Sequence, residues 1–217
     1  MEIKRHKVFI SYHHADQKYK DDIVEWLYFN DKKNKFDYIF DDYSVGNGDI
    51  DDEKLSAEQI RKIIRDDYIN EAKVLVLLCG RETKKRKHID WELQAAMYHS
   101  EDKPRLGIVV VNLPTISQGC NSSDINERKL ISSNKVWIQL KNRCEFEDVF
   151  PFMPSRIIDN LEKYVPISVV NWSRVKDNPE ILMELIDNAY NRKKIIKYIN
   201  SSPLRKQNSW GKKCIWN

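Results

Sequence analysis

Glycine is scarce in this chain, with six among 217 residues, and none lies in the segment Ser11–Asp16 after the first predicted strand. P-loops and dinucleotide-binding fingerprints need glycine there, because the backbone must approach the phosphates closely. A receiver domain is disfavoured as well. It needs an acidic pair after strand one, where this chain has His13 and His14, and an aspartate ending strand three, where it has Cys79.

A large excess of one charge sign is also missing. The 37 Lys and Arg against 33 Asp and Glu give a formal charge of +4, too small and too scattered to indicate nucleic-acid binding by counterion release. No apolar run approaches the roughly 20 residues of a membrane-spanning helix. The first residues run into a strand-like segment without a signal-peptide cleavage site. We therefore expect a cytoplasmic protein with no nucleic-acid or membrane partner.

Recognisable metal motifs are absent too. The four cysteines are widely separated, at Cys79, Cys120, Cys144 and Cys214. Without a CxxC pair, they favour reduced thiols over a disulfide framework or a zinc knuckle. The acidic loop Asp41–Asp52 lacks the ligand order of an EF-hand. His13 and His14 are adjacent, so in an extended segment their side chains point to opposite sides. The sequence therefore predicts no metal site.

Short apolar runs of strand length alternate with amphipathic helical segments. The predicted strands are Lys7–Tyr12, Phe36–Phe40, Ala72–Cys79, Leu106–Leu113 and, less regular in its surroundings, Lys135–Leu140. Alternation of this kind predicts an α/β fold, a flavodoxin-like doubly wound parallel sheet of about five strands with right-handed crossovers. The continuous apolar runs of the third and fourth strands suit central strands covered on both faces.

The chain after the predicted fifth strand has a different character. Prolines interrupt residues 145–166, and apolar residues then recur at helical spacing over Pro179–Asn200, with Asn178 as a cap. We therefore expect an α/β domain at residues 1–142. Residues 143–217 would form a C-terminal helical extension packed on it, made of an irregular segment, a long helix and a short tail.

Glu92 is the most interesting carboxylate, because it lies near the start of a helix that begins at the carboxyl edge of the sheet, where ligands bind. Ile89, Leu93 and Ala96 form the stripe facing the sheet, and Glu92 falls roughly 50–60° from its centre. The alternative is a helix carboxylate with its oxygens in water. Trp91 points away from the stripe, which predicts an exposed indole at an interface or one covered by the C-terminal segment.

Five ordered segments together resemble a TIR domain, and more narrowly the TIR-like branch of bacterial anti-phage Thoeris systems, over about residues 5–140. They are KVFISYHHAD, FDDYSVGNGD, AKVLVLLCG, KHIDWELQAAM and LGIVVVNLP. The resemblance implies an enzyme that cleaves the nicotinamide–ribose bond of NAD, which is a substrate rather than a cofactor, with Glu92 as the catalytic residue. It also implies substrate-binding positions at Phe9, Ser11, His13, Asp42, Gly46 and His88. Many TIR enzymes have tryptophan where this chain has His88.

The same resemblance suggests a role for the reaction product. It implies an ADP-ribose-derived signal, cyclic or conjugated, that diffuses to a separate effector in anti-phage defence. It also implies self-association through the BB loop, the acidic loop after strand two. Two alternatives stay open from the sequence. One is a non-catalytic TIR-like adaptor that acts through self-association, and the other is a flavodoxin-like domain that binds a nucleotide without turnover.

Overall fold

Five parallel strands form the centre of the molecule in a computed structural model that describes residues 6–34, 39–41, 54–69, 71–100, 104–132, 137, 139–206 and 208. The strands are β1 (Lys7–Ser11), β2 (Ile39–Asp41), β3 (Val74–Cys79), β4 (Gly107–Asn112) and β5 (Ser168–Asn171). Their spatial order is β2-β1-β3-β4-β5, with every neighbouring pair parallel. This order confirms the predicted flavodoxin-like doubly wound sheet.

Helices cover both faces of this sheet. One face carries α2 (Ala57–Ile63), α3 (Lys87–Met97), α5 (Arg143–Val149) and α6 (Ser155–Glu162). The other face carries α1 (Gln17–Asn34), α4 (Ile125–Ile131), α7 (Trp172–Asp177) and α8 (Pro179–Arg192). All residues of β3 and β4 are buried, as expected for central strands between two helical layers. In the described part of the chain, no helix has the length and apolar character to span a membrane.

Strand alternation determines which side chains face α3. Leu75, Leu77 and Cys79 of β3 belong to the core on the α3 side, whereas the residues between them pack into the opposite core. Phe9 of β1 lies in the same core as Leu75, its partner in the register. Ser11 follows Phe9 by two residues, so it faces α3 at the carboxyl end of β1.

The predicted fifth strand at Lys135–Leu140 is wrong. Its described residues Trp137, Gln139 and Leu140 lie in irregular structure, and the guanidinium of Arg128 is 5.3 Å from the centre of the Trp137 ring. Of these three residues, Trp137 contacts α4, and Leu140 packs against the core on the α3 side of the sheet. The true edge strand, β5, lies beyond residue 142, so the α/β domain includes part of the segment predicted as an extension.

The starts and ends of two helices show how the sequence bounds them. α2 begins with a capping box, in which Ser56 Oγ accepts from the amide of Gln59 at 3.2 Å and Gln59 Oε1 accepts from the amide of Ser56 at 2.8 Å. The long helix starts at Pro179 as predicted but ends at Arg192. The residues after Arg192 take an irregular path back across the molecule.

The cysteines do not all have the predicted state. Cys79 and Cys120 are free thiols, but Cys144 is disulfide-bonded. The expectation of a fully reduced set is therefore wrong for Cys144. Spacing alone could not reveal this bond, because cysteines far apart in sequence give no local signal of pairing.

Candidate active site

A buried serine–glutamate pair lies at the carboxyl edge of the sheet. Ser11 Oγ donates a hydrogen bond to Glu92 Oε2 at 2.5 Å, joining the end of β1 to α3. The side chain of Ser11 is fully buried, and only 1% of the Glu92 surface is exposed. Two residues expected at the site thus lie in contact. Glu92 is buried more deeply than its predicted position at the margin of the helix stripe.

Helix α3 is covered both by the sheet and by the C-terminal segment. Ile89 and Leu93 pack into the core between α3 and the sheet. On the other side Trp91, 1% exposed, donates its indole N–H to the carbonyl oxygen of Arg205 at 2.8 Å. The predicted exposed indole is therefore wrong, and the alternative, cover by the C-terminal segment, is confirmed. Apolar residues on all sides of α3 were the available signal, since such helices are buried.

His13 lies in the turn after β1 and is held neutral. Burial, followed by the positive charge of Arg86 and the neighbouring His14, lowers the pKa of His13 to about 4. Its Nδ1 accepts from the backbone N–H of Ala15 at 3.3 Å, so Nε2 carries the ring hydrogen. Nε2 is buried and makes no hydrogen bond to any described residue. A neutral donor without a partner among those residues therefore lies near the end of β1.

The two adjacent histidines do not point apart. A 3-10 turn begins at His14, and the ring centres of His13 and His14 are 4.0 Å from each other. The expectation of opposite directions assumed an extended segment and is wrong for that reason. Within the described ranges, no group of three or more His, Cys, Asp and Glu side chains is arranged to hold a metal ion.

Asp16 and Gly80 form a close contact between the turns after β1 and β3. A Cβ atom on Gly80 would lie 2.4 Å from Asp16 Oδ2, so only glycine leaves room for this carboxyl group. Burial, with the negative charge of Glu82, raises the pKa of Asp16. The sequence did not single out Asp16. The signal was available, since it closes the turn SYHHAD at the edge where ligands bind.

A network of amides continues along the same edge of the sheet. Asn112, the last residue of β4, donates to Asn171 Oδ1 at 2.9 Å and to the carbonyl of Gly119 at 2.8 Å, and accepts from Gln118 at 2.6 Å. Gln118 also donates to Cys79 Sγ at 3.4 Å. Burial raises the pKa of the Cys79 thiol to about 12, which makes it a poor nucleophile.

The other predicted site residues differ in their placement. Phe9 is fully buried in the core and offers no surface to a ligand in this conformation. His88, at the second position of α3, is 7% exposed and packs edge-on against Trp91, with ring centres 4.9 Å apart. Asp42 and Gly46 lie outside the described residues.

A parallel sheet of this order, with a buried glutamate on the helix after the third strand, defines a TIR-like α/β domain. The family model for the TIR-like domain of the Thoeris protein ThsB matches residues 9–118, slightly more than half of the chain, and the chain belongs to this family.

The comparisons with individual proteins add less. Among solved structures, the chain is similar to one entitled "Structure of the activated Roq1 resistosome directly recognizing the pathogen effector XopQ (TIR domains)". The identity is 14%, the TM-score is 0.29, and the similarity covers 86% of this chain and 84% of that chain. No curated protein matches the chain significantly.

Proposed function

We propose that this chain cleaves the nicotinamide–ribose bond of NAD, with Glu92 as the catalytic carboxylate. One observation carries the proposal. In a member of the ThsB TIR-like family, a glutamate lies at the carboxyl edge of a parallel sheet, oriented by Ser11 across 2.5 Å. Ligands of such sheets bind at this edge.

The chemistry needs a carboxylate at this position. When the glycosidic C–N bond breaks, its electron pair neutralises the nicotinamide ring, and an oxocarbenium-like ribose remains. A carboxylate beside the ribose stabilises that positive charge, as carboxylates do in glycoside cleavage. The ribose carbon then takes a nucleophile, which is water in hydrolysis and another group of the nucleotide or of a small molecule in cyclisation or conjugation. We propose that the product is an ADP-ribose-derived signal in anti-phage defence.

His13 is suited to bind the substrate. It is neutral at physiological pH, and its Nε2–H has no partner among the described residues. A hydroxyl or phosphate oxygen of NAD could accept a hydrogen bond from this N–H. That bond would remove the free-energy cost of leaving a buried donor unsatisfied. We assign His13 a binding role rather than a role as base, because an imidazole with a pKa of about 4 accepts protons weakly.

Access to the carboxylate sets a condition on this function. With 1% of its surface exposed, Glu92 cannot contact NAD until the structure around it opens. The conformation described here is therefore a resting state, and an infection signal would act by opening it. Asp42 and Gly46 would contribute from the BB loop, through which we also propose self-association. The diffusible product would reach a separate effector in the cytoplasm.

A second candidate function is a non-catalytic adaptor. The same burial favours it, because a glutamate that is 1% exposed and bound to a serine can serve the fold alone. His88 in place of the tryptophan of many TIR enzymes points the same way. In that case the chain would act by assembling with copies of itself, and NAD would remain intact.

Nicotinamide release separates these two functions. Purified protein is incubated with NAD, alone and with lysate from phage-infected cells, and nicotinamide is followed by chromatography. We expect release in at least the second condition and none from Glu92→Gln protein. Intact NAD in both conditions, together with concentration-dependent assembly of the protein, would support the adaptor and overturn the enzyme.

A further inference from the structure

The chain after α8 returns along the outer side of α3, and we call residues 196–206 and 208 the C-terminal strap. It begins near β4, where Tyr198 Oη donates to the carbonyl of Leu106 at 2.9 Å. It ends at the start of α3, where Asn208 Oδ1 accepts from the amide of Lys87 at 3.0 Å. The strap and α3 therefore run in opposite directions along their shared length.

The strap contacts a single face of α3. The contacting residues of the helix are Lys87, Asp90, Trp91 and Gln94, at positions i, i+3, i+4 and i+7. Such positions lie above one another on a helix. Glu92 is on a different side, two residues from Asp90, so the strap does not touch the proposed site through this face. The strap can therefore influence Glu92 through the position of α3.

Arg156 of α6 joins the strap to α3. Its guanidinium binds both carboxylate oxygens of Asp90, at 3.0 and 3.1 Å, and donates to the side chain of Asn200 at 2.8 Å. It also donates to the carbonyls of Ser202 at 3.2 Å and Pro203 at 3.3 Å. Asp90 in turn accepts from the amide of Arg205 at 3.1 Å. One buried side chain thus holds α6, α3 and the strap together.

This arrangement is sensitive to the geometry of the arginine. Arg156 is 2% exposed, and a buried charge is tolerated only while its partners are in place. The planar guanidinium gives two parallel bonds to a carboxylate, which a lysine ammonium cannot reproduce. Loss of the two bonds from Arg156 to Asp90 should therefore weaken the contacts of both the strap and α3 with α6.

We propose that Arg156 is a positioning residue for Glu92, an inference that rests on the proposed cleavage of NAD. Asp90 and Glu92 are about 3 Å apart along the helix axis, so they move together as parts of one rigid helix. The bond from Ser11 to Glu92 is 2.5 Å long, and a displacement of α3 by about 1 Å would break it. Arg156 and the strap hold α3 against the sheet and keep the Glu92 carboxylate in contact with Ser11, so that it is oriented for the ribose once the structure around it opens.

The chain offers a matched control for Arg156. Arg192 of α8 also donates to a buried carboxylate, Glu127, at 2.7 Å, but it contacts α4 and β5 instead of α3. Arg156→Lys and Arg192→Lys each keep a positive charge and lose the guanidinium group with its bonds to a buried carboxylate. We expect Arg156→Lys to lower kcat by about tenfold or more with KM changed less than about threefold, as for a misplaced catalytic group. Arg192→Lys should lower the thermal midpoint while kcat stays near that of the wild type.

A second readout does not depend on turnover. In hydrogen exchange, Arg156→Lys should lose protection in the strap and in residues 88–97 of α3 together, and Arg192→Lys in neither. Should Arg156→Lys fail to fold, Asp90→Asn replaces it, since the amide keeps the shape and removes the charge.

The outcomes separate the two proposals. An unchanged kcat in folded Arg156→Lys protein, or a loss equal to that of Arg192→Lys at matched stability, overturns the positioning role. If neither the wild type nor any variant cleaves NAD, the proposed function fails. Hydrogen exchange then tests whether Arg156 links the strap to α3. Loss of protection in the strap but not in α3 of Arg156→Lys protein would overturn this link, whereas loss of protection in both would support it.

Discussion

Ser11 and Glu92 are 81 positions apart in the sequence, yet a 2.5 Å hydrogen bond joins their side chains inside the protein. The bond fixes one carboxylate oxygen of Glu92 against the end of β1. The serine therefore controls how the proposed catalytic group is oriented, and changes at either residue should alter the reaction in different ways.

Glu92→Gln should abolish cleavage of NAD while the protein remains folded. The amide has nearly the same shape but no negative charge for the ribose cation, so we expect a loss of about 100- to 1000-fold in kcat. Nicotinamide release and circular dichroism give the two measurements. Glu127→Gln is the control, because Glu127 is also buried and accepts from a serine, Ser122, at 2.8 Å. Near-normal release by folded Glu92→Gln protein would remove Glu92 from the mechanism.

Ser11→Ala should reduce turnover without removing it. The methyl group cannot donate to Glu92, so the carboxylate loses its bond to the end of β1 but keeps its chemistry. We expect kcat to fall about 10- to 100-fold, with a smaller change in KM. Ser168→Ala deletes a comparable serine donor, which binds Glu127, and should leave kcat unchanged. Equal kcat values in Ser11→Ala and wild-type protein would show that the hydrogen bond serves only the fold.

The stability of the protein should fall as pH drops from about 6.5 toward 4, partly because of His13. The pKa of His13 is about 4 in the folded state and 6.5 when unfolded, so the unfolded chain takes up a proton first. The stability that His13 contributes is therefore fully present above pH 6.5. The free energy of unfolding decreases as pH falls from 6.5 toward 4. Urea unfolding across this range tests the prediction. His13→Gln should flatten the dependence, and an unchanged dependence in folded His13→Gln protein would contradict the prediction.

Gly80→Ala should destabilise the fold through Asp16. The new methyl group would lie 2.4 Å from Asp16 Oδ2 and force this buried side chain to move. We expect the free energy of unfolding to drop by about 1–3 kcal/mol. Adding Asp16→Ala should recover part of that loss, because the clash disappears. If the double variant is less stable than the sum of the two single changes predicts, the clash is not the cause.

Cys79 should resist alkylation in the native protein. Burial raises the pKa of its thiol to about 12, so almost no thiolate is present at a pH of about 8. Cys120 is half-buried, and we expect iodoacetamide to label it first. Mass spectrometry of peptides after timed labelling gives the order. Earlier labelling of Cys79 would mean that the edge of the sheet opens readily.

Local pattern predicted four strands of the sheet but not β5 at one of its two edges. The runs containing β3 and β4 are apolar throughout, and burial between two helical layers leaves that signature. β5 has four residues, too few for periodicity to show, whereas Lys135–Leu140 has the apolar character of a strand although its described residues lie outside the sheet. Whether a short segment forms an edge strand depends on contacts with residues distant in sequence, and the local sequence pattern does not reveal those contacts.

The candidate site was predictable to a similar extent. The family motif identified Glu92, and helix periodicity placed it near the sheet. Its contact with Ser11 needed the register of β1, and the cover over Trp91 needed a segment 114 positions away. Asp16 and its contact with Gly80 depend on two turns meeting. No spacing along one element could reveal such contacts.

The order in which the chain is synthesised gives the strap a further consequence. A ribosome completes α3 long before it adds Arg205. This residue lies 114 positions beyond Trp91 and accepts the hydrogen bond from its indole. During that interval the indole of Trp91 and the carboxylate of Asp90 lack their contacts with Arg205. A nascent chain at this stage therefore contains Glu92 but lacks the strap that we propose holds α3 in position. Under the proposed function, we expect nascent or prematurely terminated chains that lack the strap to cleave NAD more slowly than chains that include it.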